Sequence, residues 1–174
     1  MKCFYVLPLN NNEVFSDLGI RILESIYESR CWEPKQISLS NIYEADLDSE
    51  NFRQNVLNTI IRQISMFDPM RYEGICHIQD ASYRGFSCLW RISEQLGVIF
   101  VMVIDKGSFS LRGKSILDFV VEWSEKFTQS GKELVANDIL IVLHILAPAG
   151  QLQLLNDDIL SKIELMVNRT IRSY

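Results

Sequence analysis

Apolar and polar positions follow two alternating rhythms along the chain. Short apolar runs fall at residues 3–9, 36–39, 74–78, 98–104 and 139–145. Two of them, Val98-Ile-Phe-Val-Met-Val-Ile104 and Ile139-Leu-Ile-Val-Leu-His-Ile145, are apolar at nearly every position. A strand that is apolar on both faces is covered on both faces, as in the centre of a parallel sheet. Between the runs, apolar residues recur at helical spacing. The stripes are Val14, Leu18, Ile22, Ile26; Phe52, Val56, Ile60, Ile64; Ile116, Val120, Trp123, Phe127; and Ile159, Ile163, Val167, Ile171. Phe86, Leu89, Trp90 and Leu96 form a shorter fifth stripe. Each predicts a helix with one apolar face.

Start and stop signals agree with this division. Asn156 stands before Asp157 and Asp158, a capping residue followed by acids at the positive end of a helix. Ser115 and Asp118 have capping-box spacing. Gly97 and Gly131 follow the fifth and third stripes in C-cap position. Residues 68–85 and 128–138 read as irregular connections. Strand alternating with helix predicts right-handed crossovers. The expectation is therefore a single α/β domain over residues 1–174. Its architecture is a three-layer sandwich of about five mainly parallel strands with helices on both faces.

Composition adds limits. The chain has 174 residues, of which 48% are hydrophobic and 22% charged, ordinary values for one folded domain. A chain of this size hides about 70% of its unfolded surface and needs no staples. The formal net charge is −5, so the chain lacks the basic excess of a nonspecific nucleic-acid binder. The run at 3–9 is too short for a signal peptide, and that at 97–104 is too short to cross a bilayer. Cys3, Cys31, Cys76 and Cys88 show no metal-ligand spacing. These features predict a cytoplasmic protein with reduced thiols, Cys31 being the most reactive, and with no nucleic-acid or membrane partner.

In a parallel sheet, ligands bind beyond the carboxyl ends of the strands. That places Asn10, Asn11, Asp80 and Asp105 as pocket candidates. The run Pro8-Leu-Asn-Asn-Asn12 holds no glycine to wrap a phosphate, and asparagine there reads as a helix cap. Gly107-Ser-Phe-Ser-Leu-Arg-Gly-Lys-Ser115 looks like a phosphate loop, but it has one residue too many between its glycines. Asp105 ends an apolar strand, the position of a magnesium-binding acid, although turns favour Asp there too. His77 adjoins Cys76, but neighbours on a strand point to opposite faces. His144 lies inside an apolar run. These readings assign the histidines to structure and predict no catalytic residue, cofactor or metal. A hydrolase or zinc enzyme of the usual kind lacks its motifs.

The segment from Cys88 to Ala147 resembles the second half of a degenerate, inactive STAND-type P-loop domain of bacterial conflict systems. The similar parts are the strand at 98–105, the helix Ile116-Leu-Asp-Phe-Val-Val-Glu-Trp123, a polar loop and the strand at 138–145. The run at 3–9 would be the first strand, entering a loop that lacks the family's glycines and lysine. This resemblance implies an ATP-independent signalling or adaptor module in prokaryotic defence, whose partner is another protein or domain. A second resemblance is to the TIR and nucleoside deoxyribosyltransferase-like group of flavodoxin-like domains. It rests on Cys3-Phe-Tyr-Val-Leu-Pro-Leu9 and on Asp80 followed by Glu94-Gln-Leu-Gly97 and a new strand. It implies the alternative of a small nucleotide- or nucleoside-cleaving enzyme. Where that group carries its catalytic Glu, this chain has Leu89 or Trp90. The leading expectation is a non-catalytic interaction module on a nucleotide-binding-like scaffold.

Overall fold

A computed structural model describes residues 1, 3–8, 50–67, 72–79 and 85–172. The elements in chain order are β1 (Cys3–Pro8), α1 (Glu50–Phe67), β2 (Glu73–Gln79), β3 (Gly85–Ser93), β4 (Val98–Asp105), α2 (Ser110–Gln129), α3 (Ala136–Leu146) and α4 (Asp157–Arg172). A short 3-10 turn at Pro148–Gly150 joins α3 to the segment before α4.

Among the described residues the strands form a four-stranded sheet in the order β1-β4-β3-β2, and every neighbouring pair is antiparallel. This corrects the expected sheet of about five mainly parallel strands. The reason lies in the connections. Parallel neighbours need a crossover of a dozen or more residues. Only residues 80–84 separate β2 from β3, and only residues 94–97 separate β3 from β4. Such links can make only hairpins. Gly97 sits at φ +67°, where L side chains are strained, and its N–H bonds to Glu94 O at 3.2 Å. It is a hairpin glycine and not the C-cap its position suggested.

Two segments exchange type relative to the sequence pattern. Residues 85–93 form the central strand β3, not a helix. Phe86, Cys88 and Trp90 point to one face and Leu89 to the other, and all four are buried. A strand buried on both sides carries apolar residues at consecutive positions, so spacings of three and four arise without a helix. The run at 139–145 is the reverse case. It belongs to α3, whose buried positions Ile139, Val142, Leu143 and Leu146 have helical spacing. Leu140 and Ile145 also pack on the core in part, which hid that stripe among apolar neighbours. His144 faces outward on this helix, not into a strand. The expected helix at Val14–Ile26, the strand at 36–39 and Cys31 lie outside the described residues.

Helix α1 covers one face of the sheet. Phe52, Val56 and Ile60 pack with Tyr5, Cys76, Phe86, Cys88, Trp90, Ile99, Val101 and Val103. Phe52 meets Phe86 edge to face at 6.2 Å. Gln63 ties the layer together: its amide donates to Ile75 O at 2.8 Å and accepts from Trp90 Nε1 at 3.0 Å. Helices α2, α3 and α4 belong to the opposite face, around Phe4, Val6, Leu89, Phe100, Met102 and Ile104. The stripe Ile116, Val120, Trp123 of α2 is buried here, and Trp123 stacks on Phe127 at 4.8 Å. Gly113 lets α2 approach β3 closely. A Cβ at this position would lie 2.6 Å from Leu89 Cδ1.

Candidate functional site

Of the residues that the sequence placed in one strand-end pocket, Asp105 alone is among the described residues. Pro8, the end of β1, pairs with Val98, the start of β4. Asp105, the end of β4, pairs with Phe86 at the opposite end of the sheet. The carboxyl ends of β1 and β4 therefore do not share an edge, and Asp105 is exposed at one of them. Asn10, Asn11 and Asp80 lie outside the described residues.

The loop-like stretch 107–115 is mostly helix. Gly107 turns the chain after β4 at φ +92°, and α2 begins at Ser110. Gly113 makes a helical bond to Phe109 O. Lys114 Nζ bonds Asp118 at 2.8 Å and Glu73 at 3.3 Å, while the Ser115 hydroxyl donates to Leu111 O. The lysine and hydroxyl of the near-motif are thus engaged within the fold. His77 Nδ1 contacts Ser87 Oγ across the β2–β3 ladder at 3.1 Å, on the face opposite Cys76. Among the described residues, no group of three or more His, Cys, Asp or Glu side chains could hold a metal ion.

The feature that stands out among the described residues is a groove between α2 and β2, an edge strand of the described sheet. It has a volume of about 250 Å³. Ile75, Leu89 and Leu117 line it with Leu111, and Glu73, Lys114 and Asp118 supply its polar groups. Leu111 is 79% exposed although it belongs to this wall. Phe109 and Tyr72, which adjoin lining residues in the chain, are 66% and 56% exposed. The Arg112 guanidinium lies over the Phe109 ring at 4.3 Å.

An ion network orders the polar side of the groove. Arg91 Nη1 lies 2.9 Å from Asp118 and 3.6 Å from Glu122. Burial works against the Arg91 charge, but the hydrogen bond and charge of Asp118, aided by Glu122 and Glu73, hold its pKa above the ordinary value. The bond that Lys114 donates to Asp118 does the same for Lys114, against a smaller burial effect. The chemistry on offer is apolar contact beside a fixed set of paired charges. Sequence reasoning missed this site because it weighed residues 107–115 for their glycines and lysine. The signal present was Phe109 and Leu111, two large apolar side chains off the α2 core stripe.

A second depression of about 220 Å³ lies between α2 and α4, lined by residues including Glu122, Lys126, Asp157 and Glu164. It is the more charged of the two. No helix among the described residues is long and apolar enough to cross a membrane. No family model, curated protein or solved structure matches the chain.

Proposed function

We propose that this chain is a non-catalytic interaction module that binds an extended segment of a partner protein through an apolar anchor seated in the β2–α2 groove. The observation that carries this reading is Leu111, a large apolar side chain held in water on the wall of an apolar groove. A concave apolar surface with a few placed polar groups is the usual form of a binding site. Filling the groove with one large apolar side chain is worth about 1.5–3 kcal/mol.

The neighbouring strand favours an extended occupant. Tyr72 O accepts from Ile92 N at 2.7 Å, which makes their opposed positions a hydrogen-bonded pair. Alternation along the ladder then turns the main-chain groups of Gly74, Cys76 and Ile78 toward β3. Those of Ile75 and His77 turn outward from β2. Gln63 already occupies the Ile75 carbonyl. The Ile75 N–H and both groups of His77 have the direction needed to pair with an added strand. Such a strand supplies affinity through its backbone and selectivity through the side chain that enters the groove.

The test is a peptide library displayed on phage and selected on the wild-type protein, with recovered peptides titrated against Leu111→Glu. Peptides with a large apolar residue are expected, binding the variant at least about tenfold more weakly, which equals 1.4 kcal/mol. Because Leu111 is exposed, the variant should unfold within about 0.5 kcal/mol of wild type. Recovered peptides that bind both proteins equally would overturn the placement of the site.

A further inference from the structure

Two cysteines that the groove does not use face each other across the β2–β3 ladder. Cys76 pairs with Cys88. The bond from Ile92 N to Tyr72 O sets the alternation of that ladder, and the bond from Lys106 N to Gly85 O on the other side of β3 gives the same phase. Cys76 and Cys88 are therefore a hydrogen-bonded pair, for which the Cα atoms lie about 5.5 Å apart. A disulfide requires Cα atoms roughly 4.4–6.8 Å apart. Opposed residues of a ladder point to the same face, and both side chains lie under α1 with Phe52, Val56, Phe86 and Trp90. Both are thiols, at 2% and 0% exposure.

We propose that Cys76 and Cys88 form a reversible oxidation site that closes into a cross-strand disulfide when a small uncharged peroxide reaches it. The hydrogen bond from the Cys88 thiol holds the Cys76 pKa below its ordinary value, against the opposing effect of burial. The nucleophile of the first step is the thiolate of the pair, here Cys76 with Cys88 as its donor; exchanging the two roles gives the same disulfide. Cys76 sulfur attacks one peroxide oxygen; the O–O bond breaks, and the departing hydroxide takes up the thiol proton as water. The resulting sulfenic acid is attacked by Cys88 sulfur. The S–S bond forms, the S–O bond breaks, and the oxygen leaves as water with the Cys88 proton. Two thiols lose two electrons and two protons, and one peroxide becomes two waters. The closed bond would pin β2 to β3 directly behind Ile75 and Leu89 of the groove floor. The oxidation itself does not depend on the groove's having an occupant.

Cleavage after Arg84 separates the two cysteines, so trypsin reports the bond directly. Folded wild-type protein is treated with hydrogen peroxide, alkylated in denaturant and digested. The expected product is peptide 72–84 joined to peptide 85–91, lighter than the sum of the reduced pair by two hydrogen atoms and lost on treatment with dithiothreitol. Recovery of both peptides as alkylated thiols, or of either as a sulfinic or sulfonic acid, would overturn the proposal. So would linkage of Cys76 or Cys88 to Cys3 or Cys31 in place of each other.

Discussion

Replacing Gln63 with Leu removes a side chain that serves two layers at once. Trp90 is 1% exposed, so its indole N–H cannot turn to water when its acceptor is lost. A buried donor left unsatisfied costs about 1–3 kcal/mol. The Ile75 carbonyl, at the outer edge of the sheet, loses an ordinary hydrogen bond worth about 0.5–1.5 kcal/mol. Gln63→Leu should therefore destabilise the protein by about 1.5–4.5 kcal/mol, the sum of these two ranges. The diagnostic is a double-mutant cycle. In a Trp90→Phe background there is no indole N–H to strand, and Gln63→Leu should cost only the smaller, Ile75 part. The coupling energy should be about 1–3 kcal/mol. Equilibrium urea unfolding followed by far-ultraviolet circular dichroism measures all four proteins without relying on the altered tryptophan. Additive costs, agreeing within about 0.5 kcal/mol, would refute the docking of α1 on this face through Gln63.

Two further stability predictions follow from the other face. Trp123→Ala should cost about 3–5 kcal/mol in the same urea assay, because it empties the α2 core stripe and ends the stacking on Phe127; a wild-type melt would place that stripe in solvent. Lys114→Met should cost about 0.2–1 kcal/mol near neutral pH, the range for exposed pairs. The folded Lys114 pKa is raised, so the contribution is complete below the ordinary lysine value of about 10.4 and falls away as pH climbs through the raised folded value. Urea melts across that alkaline interval should show wild type and variant converging; a gap that widens with pH would contradict the sign.

The long helices were legible because each presents its core through one narrow stripe. Phe52, Val56 and Ile60, then Ile116, Val120 and Trp123, then Ile163 and Val167, are all buried as their spacing predicts. The strand β4 was legible as a run apolar on both faces. What periodicity could not resolve was a central antiparallel strand from a buried helix. Residues 85–93, with Phe86, Cys88, Leu89, Trp90 and Ile92, and residues 139–145, apolar nearly throughout, are both short, and both are covered on more than one side. Exchanging them turns three consecutive antiparallel strands into an apparent series of crossovers. The candidate pocket rested on the parallel reading of the sheet, since collecting all carboxyl strand ends at one edge is a property of parallel sheets. Linker length was the better guide: residues 94–97 cannot carry a chain back across a sheet. The groove was harder to see. It depends on Gly113 drawing α2 against β3 while Leu111, two residues earlier, stays in water, and no local spacing announces that combination.

The groove assignment is tested most directly by titrating a selected peptide into isotopically labelled wild-type protein and following backbone amide shifts. The account predicts the largest changes at Glu73–Gln79 and along the first turns of α2 from Ser110 to Asp118. It also predicts slowed hydrogen exchange at the Ile75 and His77 amides as an added strand pairs with β2. Changes centred on α4, or slowed exchange confined to the helices, would place the binding surface elsewhere and contradict the account.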